Sequence, residues 1–249
     1  MSLFQSTVVS KYLQTQNKEL LATQWSQFKS FFHNPEIQEN IRNSKEEQYQ
    51  GEFLIDLFVN ILGYTKNPTP NYNLTTEYKN IKDSKKADGA IIIHENVKAV
   101  IELKGTNTTD LGKIETQAFG YKNNQSECSY VITSNFEKLR FYIDNAIEHI
   151  EFNLFNLTEK EFELLYLCLA YDNILKDIPK KLKDESVGQE DVITKKLYND
   201  YSLFKRELHQ SLVSLNPEYD ALILFKKSQK LIDRFLFLFF ADLLYLVFL

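Results

Sequence analysis

Apolar positions recur at mixed spacings of three and four from Leu3 and Phe4 through Val8, Tyr12, Leu13, Leu20, Leu21, Trp25, Phe28 and Phe31 to Phe32, with no Pro or Gly between them. That is the period of one helix face, so residues 3–32 predict helix, broken once near Asn17. Pro35 opens a short helical piece. Ser44-Lys-Glu-Glu is placed to cap a stronger helix, carried by Phe53, Leu54, Leu57, Phe58, Ile61 and Leu62 and stopped by Gly63.

After the loop Asn67-Pro-Thr-Pro-Asn the period shortens and β-branched residues accumulate. Strands are predicted at 74–78, 87–94 and 97–103, the second and third forming a hairpin that turns near Glu95-Asn96. A helix follows from Asp110 to about Lys122, then strands at 129–133, 139–143 and 149–152. From Thr158 the strand pattern ends and an all-helical third begins, within which Lys176–Glu190 reads as an exposed charged connector. Helix, three strands, helix and further strands make an α/β or α+β layer, with a sheet buried between helices. The run Leu231–Leu249 is the most apolar of all. A membrane span wants about 20 apolar residues with few or no charges, and Asp233, Arg234 and Asp242 interrupt this one, so it reads as a buried or interface helix that something should cover.

Composition narrows the function. At 249 residues, 43% hydrophobic and 25% charged, the chain suits one large or two small domains and is not disordered. Its 7 glycines form neither G-x-G-x-x-G nor G-x-x-x-x-G-K-[ST], so ATP-driven work and methyl transfer from a nucleotide-like cofactor are not expected of it. A net charge of −5 argues against an all-over positive coat but leaves room for a local basic groove. Cys128 and Cys168 form no CxxC, and His33, His94, His149 and His209 show no paired spacing, which argues against zinc. Two buried thiols in a reducing cytosol, and a first segment without the layout of a secretion signal, give a cytoplasmic expectation.

The chemistry concentrates in the segment Ala87–Gly105. Side chains alternate across a strand, so Glu102 and Lys104 share one face, and in the antiparallel hairpin Asp88 lies roughly opposite them. Two carboxylates and an ammonium thus meet on a rigid sheet. Mg²⁺ takes hard oxygen ligands, typically one or two carboxylates with water and substrate phosphate, and a neighbouring lysine can orient or help deprotonate the attacking water. This is the chemistry of phosphodiester hydrolysis. Gln117 and Tyr121, four apart on the next helix, can reach the same place as polar contacts. Lys79, Lys82, Lys85 and Lys86, with Asp83 among them, supply a phosphate-binding rim just before Asp88. Tyr72 and Tyr78 are nearby candidates for stacking on bases.

These residues carry a resemblance. Asp88, thirteen intervening residues and Glu102-Leu103-Lys104 resemble the PD-(D/E)XK nuclease motif, with Ala87 where that family often has Pro. Gln117 and Tyr121 resemble the Q-x-x-x-Y element of its restriction-enzyme and RecB-like members. Gly51-Glu52-Phe53-Leu54 stands where members often place a further metal-contacting Glu. Val131-Ile-Thr-Ser-Asn-Phe-Glu-Lys-Leu-Arg-Phe-Tyr142 resembles the "T-N-F … L-R-F-Y" strand pair of restriction-enzyme nuclease domains. The match covers residues 46 to about 153. The C-terminal third is similar to the helical connector of single-chain, type IIG-like restriction-modification enzymes, in which a phrase like Leu231–Ala241 leads into an adenine methyltransferase. Here Asp242-Leu-Leu-Tyr-Leu-Val-Phe-Leu replaces the acidic pair, Leu and Pro that usually follow, and no Asn-Pro-Pro-Tyr occurs. The departure implies a truncated or frame-shifted chain, or a piece covering only the nuclease portion.

The resemblance implies a restriction-endonuclease-like αβββαβ core at 44–157, preceded by a helical segment at 1–43 and followed by a helical connector at 158–249. It implies Mg²⁺ held by Asp88, Glu102 and the Leu103 carbonyl, with Glu52 as a further ligand. Lys104 would position the water, with Gln117 and Tyr121 as accessory groups. The expected partners are double-stranded DNA and a methyltransferase or specificity domain, in cis or in trans, with dimerisation for double-strand cleavage and no membrane. The alternative is a non-cleaving module that binds DNA or docks a methyltransferase partner through its C-terminal helices.

Overall fold

The structure is a computed structural model and describes residues 3–79 and 86–247. The chain divides into two compact units, Met1–Val187 and Gly188–Leu249.

The first unit opens with α1 (Ser6–Leu13), α2 (Lys18–Phe32) and α3 (Pro35–Asn43). The expected break falls where Asn17 caps α2, its Oδ1 accepting from Glu19 N and Leu20 N at 3.1 Å each. Asn34 caps α3 in the same way, with Pro35 in the first turn, where its missing N–H costs nothing. The next helix, α4 (Glu46–Phe53), widens into a π-helical turn over Leu54–Val59 and ends before Gly63, whose φ of 81° supplies the left-handed stop.

Six strands follow in one sheet, ordered as in the chain: β1 (Leu74–Lys79), β2 (Lys86–Ile93), β3 (Asn96–Leu103), β4 (Tyr130–Ser134), β5 (Lys138–Ile143) and β6 (His149–Asn153). Neighbours are antiparallel except β3 and β4, which run parallel and are joined over one face by α5 (Gly112–Asn123). Alternate strand residues divide between two cores. Ile91, Ala99, Ile101, Tyr130, Ile132 and Phe141 join the main core with residues of α1–α4 and the later helices. Ala90, Val100, Val131 and Tyr142 join Ala118 and Tyr121 of α5 in a smaller one. The main core is rich in rings. Phe28 lies 4.7 Å from Phe32 and 5.1 Å from Phe162, and Trp25 lies 5.3 Å from Phe162.

The β2–β3 turn comes one residue earlier than the expected Glu95-Asn96. His94 and Glu95 are its two central residues, at φ 48° and 66°, as a two-residue hairpin turn requires. A bulge then shifts the register between Ile91 and Ile92. Without it, the pairing Ile93↔Asn96 and Ile92↔Val97 would continue to put Asp88 opposite Ile101, on the face away from Glu102. With it, Gly89 pairs Ile101 and Asp88 comes opposite Glu102.

After β6, Thr158 and Glu161 form a reciprocal capping box at the start of α6 (Glu159–Leu169), followed by α7 (Tyr171–Leu175). Phe162, Leu165, Ile174 and Leu182 are buried in the main core, so the expected boundaries at 43/44 and 157/158 both fall inside the first unit. The expected exposed connector at 176–190 is corrected: α8 (Ile178–Leu215) runs through it, burying Pro179, Leu182 and Ser186. Its Lys and Glu residues are strong helix formers, and the buried positions fall three and four apart on one face.

The second unit holds the remainder of α8 and α9 (Ala221–Val247). Tyr201 Oη donates to Asp233 Oδ1 at 3.3 Å, Lys205 Nζ to Gln229 Oε1 at 3.3 Å, and His209 Nε2 lies 3.0 Å from the Ala221 carbonyl, a falling register that makes the two helices antiparallel. Ile193, Leu197, Phe204, Phe237 and Leu238 stand exposed. No helix among the described residues is long and apolar enough to cross a membrane.

Candidate active site

Five of the expected residues converge where the bulged hairpin meets α5. Asp88 Oδ2 accepts from the Leu103 amide at 2.7 Å, which locks the acid beside the end of β3. Lys104 Nζ donates to Glu102 Oε1 and to the Leu103 carbonyl, both at 2.9 Å. Gln117 Nε2 donates to the same Glu102 oxygen at 2.5 Å and to Tyr121 Oη at 3.1 Å, so the i, i+4 pair on α5 reaches the sheet as its spacing predicts.

The electrostatics are those of crowded acids. Glu102 is 1% exposed, and burial together with the Asp88 charge pushes its carboxyl up to about 7. Burial also raises Asp88, although the Leu103 amide and Lys104 oppose it. For Lys104, burial would lower the pKa, but the Glu102, Asp88 and Glu46 carboxylates outweigh it, so the side chain is held as an ammonium. Both hydrogen bonds to Glu102 fall on Oε1. Its Oε2 is buried with no hydrogen-bond partner among the described residues, a costly arrangement unless something else satisfies it. An unsatisfied carboxylate oxygen beside a second repelling carboxylate fits a hard cation. No group of three or more His, Cys, Asp and Glu among the described residues is arranged to hold a metal. The donors present are two carboxylates, the number Mg²⁺ commonly takes while keeping several waters.

The family model for the MmeI N-terminal domain matches residues 33–242, most of the chain. The chain belongs to this family. An MmeI N-terminal domain is the N-terminal domain of a type IIG restriction enzyme, which places the chain among restriction-modification enzyme domains. No curated protein and no solved structure matches it.

In this MmeI N-terminal domain, Glu52 is not brought to the cluster. It is exposed on α4, and the groups that feel its charge are Tyr49 and Asp56. The acid that α4 does deliver is Glu46. Its Oε1 lies 3.4 Å from Lys104 Nζ and its Oε2 accepts from the Gly105 amide at 3.0 Å. The signal for it was available: Glu46 shares a helix face with buried Tyr49 and Phe53 at i, i+3 and i+7, while Glu52 points roughly 120° away from Glu46. Of the expected DNA-contacting lysines, Lys82 and Lys85 and the side chain of Lys79 lie outside the described residues. Lys86 is exposed at the start of β2 and pairs with Glu77 at 2.6 Å.

Proposed function

We propose that this restriction-enzyme domain is a Mg²⁺-dependent DNA endonuclease of type II, IIG-like, that hydrolyses phosphodiester bonds. The observation that carries the reading is that Asp88 and Glu102 lie opposite one another on adjacent strands, with Glu102 Oε2 unsatisfied among the described residues and Lys104 Nζ bound to Glu102 Oε1. Asp88, Glu102 and the Leu103 carbonyl would hold Mg²⁺. Bound there, the ion supplies Lewis-acid polarisation of the phosphate and a lowered pKa for a coordinated water.

The chain's own residues do the rest. Lys104, kept protonated by three carboxylates, acts as a donor that aligns the attacking water and offsets charge on the phosphate, rather than as a base. Gln117 fixes the rotamer of Glu102, and Tyr121 in turn holds Gln117. Glu46 limits where the Lys104 ammonium can go. Lys79, Lys82, Lys85 and Lys86 supply contacts to the DNA backbone, which give register and affinity without sequence information. Two copies acting together would cut both strands. The test is nicking of supercoiled DNA by the purified protein with and without Mg²⁺. Activity that depends on the ion and is lost in Lys104→Ala supports the reading, and a Lys104→Ala protein that cuts as well as the parent overturns it.

A second reading has its own observation, the exposed apolar side chains of the second unit, among them Phe237 at 73% and Ile193 at 60%. Surfaces of this kind mark interaction sites. On this reading the domain is a non-cleaving module that binds DNA or docks a methyltransferase or specificity partner. DNA binding that ignores both Mg²⁺ and Asp88→Asn, with no nicking, favours it.

A further inference from the structure

Three elements that bring residues to the candidate centre, β3, α5 and α4, are held by one hairpin, β4–β5, the segment Val131–Tyr142. Arg140 and Tyr142 alternate along β5 and so face α5 together. Arg140 Nη1 lies 3.1 Å from Glu115 Oε1, and Tyr142 Oη donates to the same oxygen at 2.5 Å. Arg140 is braced from behind, its Nε donating to Glu151 Oε2 on β6 at 2.7 Å.

The geometry of α5 gives this grip a consequence. Glu115 and Phe119 are i, i+4 neighbours on one flank, and the Phe119 ring meets Tyr142 edge-on at 5.4 Å. Gln117 and Tyr121 are i, i+4 neighbours about 200° around the helix, with buried Ala118 against the sheet. One flank is tied to β5 and the other reaches Glu102 on β3. Apolar contact alone lets a helix roll, whereas two donors on one carboxylate oxygen fix its rotation. The turn of the hairpin holds the loop before α5 and the face of α4. Asn135 Nδ2 donates to the Thr108 carbonyl at 2.9 Å, in the loop between Lys104 and α5. Phe136, at φ 71° and fully buried, packs on Tyr49 at 5.1 Å and Phe53 at 5.3 Å, the face of α4 that presents Glu46.

We infer that Arg140 and Tyr142, acting through Glu115, are positioning residues of the candidate nuclease centre: they set the rotation of α5 and so seat Gln117 on Glu102. The inference rests on the nuclease reading for its effect on cleavage, but its hold on α5 is testable without cleavage. The experiment compares Glu115→Ala, Arg140→Ala, their double variant, Tyr142→Phe and the conservative Glu115→Gln in the full chain. Amide hydrogen exchange is followed over Gly112–Asn123, with α6 as the internal control for folding.

The expected result is faster exchange in α5 alone, with protection largely restored in Glu115→Gln. Nicking should show kcat lowered by about a hundredfold, as small misplacements of catalytic groups do, with KM for DNA unchanged. The double variant should be no worse than either single, because the pair acts as one unit. Unchanged α5 exchange in the alanine variants, or single effects that simply add, would overturn the inference. Tyr142→Phe serves the same comparison if an alanine variant does not fold. A parent protein that does not nick removes the nuclease reading, and exchange then decides the positioning claim by itself.

Discussion

Glu102 is a buried acid whose carboxyl group titrates near neutrality, at about 7, because of burial first and Asp88 second. The sign of its linkage follows. A carboxyl raised above its unfolded value stabilises the fold fully below the ordinary carboxylate range, and that contribution is lost as pH rises to about 7. The amount is on the order of 3 kcal/mol. Glu102→Gln should therefore hold or gain stability at pH 8 by denaturant unfolding while losing nicking, and a large loss of stability would show that Glu102 is needed structurally as an anion. Mg²⁺ competes with the proton, so its effect on Tm should be small near pH 6 and grow through pH 8. A Tm shift independent of pH would place the ion elsewhere. Glu102, Lys104, Gln117 and Tyr121 were legible from spacing, since a strand's period of two and a helix's i, i+4 contact decide which side chains can meet, whereas Asp88 joins their face only through the bulge in β2. Glu46 was not chosen over Glu52 because that choice depends on how α4 is rotated, which Tyr49 and Phe53 set by packing under Phe136.

The succession of helices and strands was readable because the hydrophobic period changes cleanly after Gly63 and again at Thr158. The register of β2 on β3 was not, since it depends on the bulge beside Ile91 and Ile92, and a bulge has no signature in a run of Ile, Val and Ala. Lys176–Glu190 misled for a different reason: a charge-rich stretch is equally a loop or a solvated helix, and the packing of Pro179, Leu182 and Ser186 decides for the helix. The α2–α6 contact around Phe28 lies on the face of the sheet opposite α5. Phe28→Ala should cost about 3–5 kcal/mol in unfolding experiments, yet leave the Mg²⁺-dependent part of the Tm shift intact. Loss of that shift in a folded Phe28→Ala protein would mean that the two faces are coupled.

The chain carries a net charge of −5, so the DNA contact proposed for it should come from a few local cations rather than from a general field. If Lys82 and Lys85 contact phosphates, replacing both with Gln should weaken binding alike for all sequences. It should also reduce the slope of log affinity against log salt by about two. An unchanged slope would remove those lysines from the interface. Membership of the MmeI N-terminal domain family makes the chain a restriction-modification enzyme domain. Cutting and docking differ in one observable. The most direct decision comes from nicking of supercoiled plasmid by the parent protein, Asp88→Asn and Lys104→Ala at matched concentration, with Mg²⁺ present or chelated. Nicking by the parent alone, and only with the ion, is the expected result, whereas equal cutting by all three proteins or cutting under chelation would contradict an Asp88–Glu102–Lys104 centre.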